Sequence, residues 1–170
     1  MYLNEKIDRL KIEFSSTDFR VPFTSGTTIL KSIEKRFILT KDLTNDLNNL
    51  GQHLNLWADN IKNKTEIQEI NLNNYYDWFD KLDKNTNYWT VITQRDLPSS
   101  RHLVYDCKPN SLLALFSVTQ DDFFIIDKKY KWFSYFQFDR QTNEAIIYKS
   151  GDNSTPFDTP SDGQKRLPPT

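Results

Sequence analysis

The chain of 170 residues is poor in the residues that staple, coordinate or cradle: it has one cysteine, two histidines and four glycines. A lone cysteine excludes an internal disulfide framework and a cysteine-based zinc site. Cys107 falls in an apolar stretch beside Val104 and Tyr105, which predicts a buried, inert thiol rather than a nucleophile. His53 and His102 belong to different predicted elements, so their spacing favours neither a general base nor a metal site. Gly26, Gly51, Gly151 and Gly163 fit no phosphate-loop pattern, and no Gly-x-Ser-x-Gly elbow occurs. No cofactor and no metal are expected.

Long apolar runs are also missing. No segment approaches the ~20 apolar residues that a membrane helix needs. The first twenty residues are amphipathic and charged, unlike a secretory leader. A cytoplasmic location is expected by elimination, with no membrane partner. Net charge is −1, so no overall field recruits nucleic acid or an anionic surface.

What is abundant is aromatic surface. Hydrophobic residues make up only 37% of the chain but aromatics 14%, which predicts a core built from Phe, Tyr, Trp and Ile. The length suits one domain able to bury a full core without covalent help.

Periodicity divides the chain at about residue 84. Leu3, Ile7, Leu10 and Phe14 recur at helical spacing, and Pro22 follows a break. A second helix starts near Ser25 or Thr27 and carries Ile29, Leu30, Ile33 and Phe37. Leu43, Leu47, Leu50, Leu54, Trp57 and Ile61 form one narrow stripe, predicting a third helix over 43–61, with Gly51 as its weak point. A short helix is expected through Tyr75, Phe79 and Leu82. From Tyr88 the period changes to two, giving strands at 88–94 and 102–107, then a helix through Leu112, Leu113, Leu115 and Phe116. Strands follow at 123–126, 132–138 and 145–148. The predicted fold is α+β: a mostly helical part over 1–84 packed on a mainly antiparallel sheet in the order β-β-α-β-β-β over 85–150. From residue 151 onward Pro, Ser, Asp and Thr predominate, so 151–170 is expected to be a flexible tail.

Charge is unevenly spread. Residues 41–84 carry five lysines against eight acidic residues, while 1–40 carry seven basic against five acidic. Asp42, Asp46, Asp59, Glu66, Glu69, Asp77 and Asp80 are therefore candidates for an acidic surface facing a basic partner, against the plainer reading of a solvated face. The densest aromatic run, 123–138, brackets a charged turn. Alternation along 132–138 places Trp132, Ser134, Phe136 and Phe138 on one face, and Phe133, Tyr135 and Gln137 on the other. The first face is core; Phe133 and Tyr135 need cover from helices or from a partner. With Lys128, Lys129 and Lys131 they are candidate partner contacts, since aromatic residues dominate binding hot spots. The same lysines, with Trp132, Phe133 and Tyr135, could in principle stack on nucleic acid, but nearby acids leave no net basic excess.

The segments Tyr88-Trp89-Thr90-Val91-Ile92, His102-Leu103-Val104-Tyr105-Asp106 and Phe124-Ile125-Ile126-Asp127-Lys128-Lys129-Tyr130-Lys131-Trp132 carry a resemblance. Over about 85–150 the chain resembles a small uncharacterised bacterial family with a strand, Lys-Lys-Tyr-x-Trp, strand signature. That family is similar to toxin-immunity proteins, including the broad Smi1/Knr4-like group related to the yeast cell-wall regulator Smi1. The resemblance implies a non-catalytic α+β protein that neutralises a cognate toxin by binding it. Family members carry paired histidines after the tryptophan; the equivalent stretch here, 134–139, has none, so no histidine role carries over.

An enzymatic alternative comes from Asp106, Asp127 and Lys129. Two strand-end carboxylates and a lysine are what an Asp…Asp-x-Lys nuclease uses to hold Mg²⁺ and steady the attacking water. The tripeptide is common and sits where a solvated turn belongs. A structural or regulatory domain is the third reading. The sequence favours a protein-binding protein, with a cognate toxin as partner, over either.

Overall fold

The computed structural model describes residues 2–40, 50–71, 75–93, 103–119, 121–139, 141–152 and 155–158. Among them are five α-helices and seven strands, and every strand pairing is antiparallel. The fold is α+β. None of the described helices is long and apolar enough to cross a membrane.

Helix α1 (Leu3–Glu13) buries Ile7 and Leu10, and Glu5 reaches back to accept the Tyr2 backbone N–H at its start. The short strand β1 (Phe19–Arg20) follows, then α2 (Gly26–Phe37) with Ser25 as N-cap residue and Ile29, Leu30, Ile33 and Phe37 buried. These helices match the apolar spacing. The expected third helix does not run through. Within the described residues α3 (Leu50–Asn55) gives way to shorter-range turns, with Trp57 N–H bonded to Leu54 O and a 3₁₀ turn at Ala58–Asn60. The chain must straighten here because Leu39 N–H bonds Asn60 O, and Lys62 N–H bonds Phe37 O. Leu54, Trp57 and Ile61 are nonetheless all buried, so the stripe found the core but not the element. Leu43 and Leu47 lie outside the described residues.

Strand β2 (Thr65–Asn71) was not expected. A bulge between Glu66 and Gln68 shifts its register, so Ile67 and Ile70 fall three apart and period two is hidden. Then come α4 (Tyr75–Phe79), β3 (Tyr88–Ile92), β4 (Val104–Cys107), α5 (Pro109–Thr119), β5 (Phe123–Asp127), β6 (Trp132–Asp139) and β7 (Glu144–Gly151). The second half thus follows the expected β-β-α-β-β-β order.

The sheet order is β1-β4-β3-β5-β6-β7-β2. Directly paired residues point to the same side, so the registers define two faces. One face holds Trp89, Asp106, Ile126, Phe133, Tyr135 and Ile146. Phe37 of α2 stacks on Phe133 at 5.4 Å, and Trp57 packs on Phe124 at 5.4 Å, closing its middle. The other face carries Tyr105, Phe123 and Phe136, under Phe79 of α4 and Phe116 of α5. Helix α1 packs against α5 there. The sheet is a middle layer, and aromatic rings fill both interfaces.

The tail expectation is corrected in part. Gly151 still belongs to β7, at φ 98°, where an added Cβ would collide with the Lys131 carbonyl. Phe157, in the 3₁₀ turn Pro156–Asp158, is buried edge-on against Trp132 and Phe136 at 6.0 and 5.6 Å. One aromatic contributes enough apolar burial to hold a segment whose composition reads as loop. Residues 159–170 lie outside the described residues.

Candidate functional site: two charged corners of the sheet

The turn between β5 and β6 is built by Asp127. Its carbonyl accepts Tyr130 N–H at 2.8 Å, its carboxylate accepts Lys131 N–H at 3.2 Å, and Tyr130 takes the left-handed conformation at φ 53°. Lys129 and Lys131 are exposed at this tip. Lys128 instead folds back onto the sheet. Its Nζ lies 2.9 Å from Asp106 Oδ2 and 4.2 Å from the centre of the Trp89 ring.

Asp106 is the centre of the first corner. It is 1% exposed, and the same Oδ2 accepts Arg20 Nη2 at 2.7 Å and Nε at 2.9 Å. The Arg20 guanidinium lies 4.6 Å from the exposed ring of Phe23. A row therefore runs Phe23, Arg20, Asp106, Lys128, Trp89: ring, cation, anion, cation, ring. Asp106 Oδ1 and Trp89 Nε1 are buried without a hydrogen-bond partner. Strand β1 is only two residues long, and pairing it with β4 sets Arg20 directly across from Asp106.

The nuclease trio does not assemble. Asp106 pairs with Trp89, whereas Asp127 pairs with its neighbour Tyr88, so the two carboxylates point to opposite faces of the sheet. They cannot share one ion, and Lys129 stands apart at the turn tip. Among the described residues, no three His, Cys, Asp or Glu side chains are grouped to hold a metal ion.

Two of the expected partner contacts are also corrected. Phe133 and Tyr135 are buried: Phe37 and Trp57 pack over Phe133 from outside the sheet, and the neighbouring rings of Phe124 and Tyr148 on the same face flank Tyr135. Tyr135 donates its hydroxyl to Asp122 Oδ2 at 2.7 Å, and burial followed by that carboxylate pushes its pKa up. Cys107 is buried and its thiol pKa is raised by burial, as expected of an inert core cysteine. His53, on α3, is buried against α2, where its Nε2 meets Glu34 Oε1 and Trp57 Nε1 donates to the same oxygen at 2.8 Å. His102 lies outside the described residues.

The acidic candidates separate. Asp42 and Asp46 lie outside the described residues. Asp77 on α4 and Asp80 in the turn just after it are exposed, over the face opposite Glu69; Asp80 borders a cleft of about 420 Å³ with Asp18, Lys84 and Lys108. Asp59 is exposed in the 3₁₀ turn. Glu66 and Glu69 share a sheet face, and the bulge is the reason. Glu66 pairs with Tyr148 and Glu69 with Ile146, so both side chains reach the same face although they are three residues apart.

The ends of β6 and β7 bring in two carboxylates that the sequence did not single out, Asp139 and Glu144. Glu144 pairs with both Asn71 and Asp139, setting Glu144 and Asp139 on the face of Glu69. Glu69, Glu144 and Asp139 line a shallow hollow of about 560 Å³ floored by Gln137 and Ile146. Glu144, sharing a hydrogen bond with Glu69 and repelling its charge, holds the Glu69 carboxyl above the usual range; Glu66 adds to the effect. The nearby Lys64 is spent elsewhere, donating to Ala58 O at 2.9 Å with its ammonium 4.1 Å from the Tyr148 ring. Among the described residues no cation forms an ion pair with Glu66, Glu69 or Glu144. Only the pairing of β2 with β7 assembles this corner, and no local sequence signal marks it.

Compared with known proteins, the chain matches no family model, no curated protein and no solved structure.

Proposed function

We propose that this protein acts by binding another protein that presents a basic surface, and that it is an immunity-type inhibitor of a cognate bacterial toxin in the cytoplasm. The observation that carries the reading is the corner of Glu66, Glu69 and Glu144. Three carboxylates converge on an open stretch of sheet, close enough to raise one pKa. Such an arrangement costs the free protein electrostatic free energy, and a partner's lysines or arginines would relieve it. Toxin nucleases are often basic, and blocking one needs no catalytic group. The resemblance of residues 85–150 to a small uncharacterised bacterial family, itself similar to toxin-immunity proteins, supports the same reading.

Co-expression with the product of a neighbouring toxin gene tests it. Protection is expected from the native protein and is lost in the Glu66→Lys/Glu69→Lys/Glu144→Lys variant, whose fold is checked by circular dichroism. If the native protein neither protects cells nor binds the purified toxin, the proposal is wrong.

A further inference from the structure

The acidic corner lies beside an open sheet edge. Strand β2 ends the strand order, and its inner edge is bonded to β7. Among the described residues no strand pairs with its outer edge. The other terminal strand, β1, spans two residues and offers almost no ladder. Beyond the bulge, residues 68–71 keep a continuous register with β7, so alternate backbone N–H and C=O groups face outward at regular spacing. Thr65, Glu66, Glu69 and Asn71 are exposed along it.

Resting on the protein-binding reading above, we infer that β2 receives a β-strand from the partner, and that this strand carries lysine or arginine on the side facing Glu69. Main-chain hydrogen bonds along a sheet edge supply affinity, and alternate side chains supply specificity. Cross-strand neighbours stand about 4.5–5.5 Å apart at Cβ, so a cation placed opposite Glu69 also reaches the Glu144 side of the hollow. The same charges decide against a second copy of this chain. Fully overlapped antiparallel β2 strands would set Glu66 and Glu69 of one copy opposite or diagonal to those of the other. An edge carrying charge of one sign rejects itself and accepts its opposite.

The test uses the full chain and three short synthetic peptides: one alternating lysine with valine, its glutamate–valine counterpart, and the lysine peptide with alternate backbone amides N-methylated. The lysine peptide is expected to bind by calorimetry and to slow hydrogen exchange of the β2 amides. Glu69→Lys and added salt should both abolish this. The N-methylated peptide keeps its charge but loses donors along one edge; losing two net hydrogen bonds weakens binding by about tenfold or more. If it binds as tightly as its parent, strand addition is overturned while the electrostatic reading stands. Absence of binding by the lysine peptide, equal binding by the glutamate peptide, or β2 protection that instead rises with protein concentration also overturns the inference. The toxin co-expression result decides the underlying function separately.

Discussion

The two charged corners sit on one face of the same sheet, yet they treat carboxylates in opposite ways. At the β1–β4–β3 corner Asp106 is sealed from water, with Arg20 and Lys128 on one of its oxygens and an aromatic ring beyond each cation. At the β2–β7–β6 corner Glu66 and Glu69 are exposed, Glu144 is half-buried, and the described residues supply none of them with an ion pair. A buried charge must be compensated from within the chain, or it costs several kcal/mol. An exposed cluster of one sign is tolerated because water screens it, and it stays available to an outside partner. The first corner therefore holds β1 to the sheet. The second is the better place to look for function.

The largest effect that would break this contrast is at Asp106. In Arg20→Met/Lys128→Met a lone carboxylate is left 1% exposed, and a cost of about 3–5 kcal/mol is expected in urea denaturation. Each single change costs less, because one cation still faces Asp106. Adding Asp106→Leu to the double variant should recover most of the loss, since an apolar trio no longer contains a buried charge. A double variant within about 1 kcal/mol of the native protein would show that Asp106 reaches water once its cations are gone, and the two corners would cease to differ in kind.

Both corners were hard to read from the sequence for the same reason, which is distance along the chain. Arg20 and Asp106 are 86 residues apart, and Glu69 meets Glu144 only through pairing of the first-half strand with the last. What was legible was local. Alternation from Tyr88 onward gave the strands of the second half, and helical spacing gave α1 and α2. The bulge in β2 converts period two into a spacing of three and conceals the strand that builds the acidic corner. Trp57 and Ile61 were recognised as apolar, but the bridge from Ile61 to Ile38 that ends the helix is a tertiary event. Phe157 shows the complementary limit: one buried ring anchors a segment that composition assigns to a tail. Phe133 and Tyr135 failed as contact candidates because alternation assigns a face, not what covers it.

A smaller effect sharpens the contrast from the acidic side. Glu69→Lys removes the carboxylate that Glu144 and Glu66 repel and sets a cation among them. A modest rise in thermal midpoint is expected at low salt, vanishing near 1 M salt as screening contracts to about 3 Å. The same variant should lose partner binding, so stability and function move in opposite directions, as expected where a surface is kept strained for a ligand. A fall in the midpoint would mean that Glu69 has a stabilising role in the free protein.

The smallest effect is the sign of two pH slopes. Glu69 has its carboxyl pKa raised from an ordinary 4.5, chiefly by Glu144, so the folded state holds a proton that the unfolded chain releases. Its contribution to stability falls as pH rises from the ordinary value through the raised one, and Glu69→Gln removes that fall. Asp18 is the opposite case. Lys108, 2.7 Å away, holds its carboxyl below the ordinary 3.8, so its stabilisation is present above that value and lost as pH drops through the lowered one. Asp18→Asn should therefore flatten the acid limb of the stability curve, and Glu69→Gln the limb just above it. Glu69 is exposed and Asp18 only partly buried, so both slopes are small and shrink with salt. Denaturation midpoints compared between pH 3 and 7 for the two variants would read them, and slopes of the same sign would remove the distinction between a compensated and an uncompensated carboxylate.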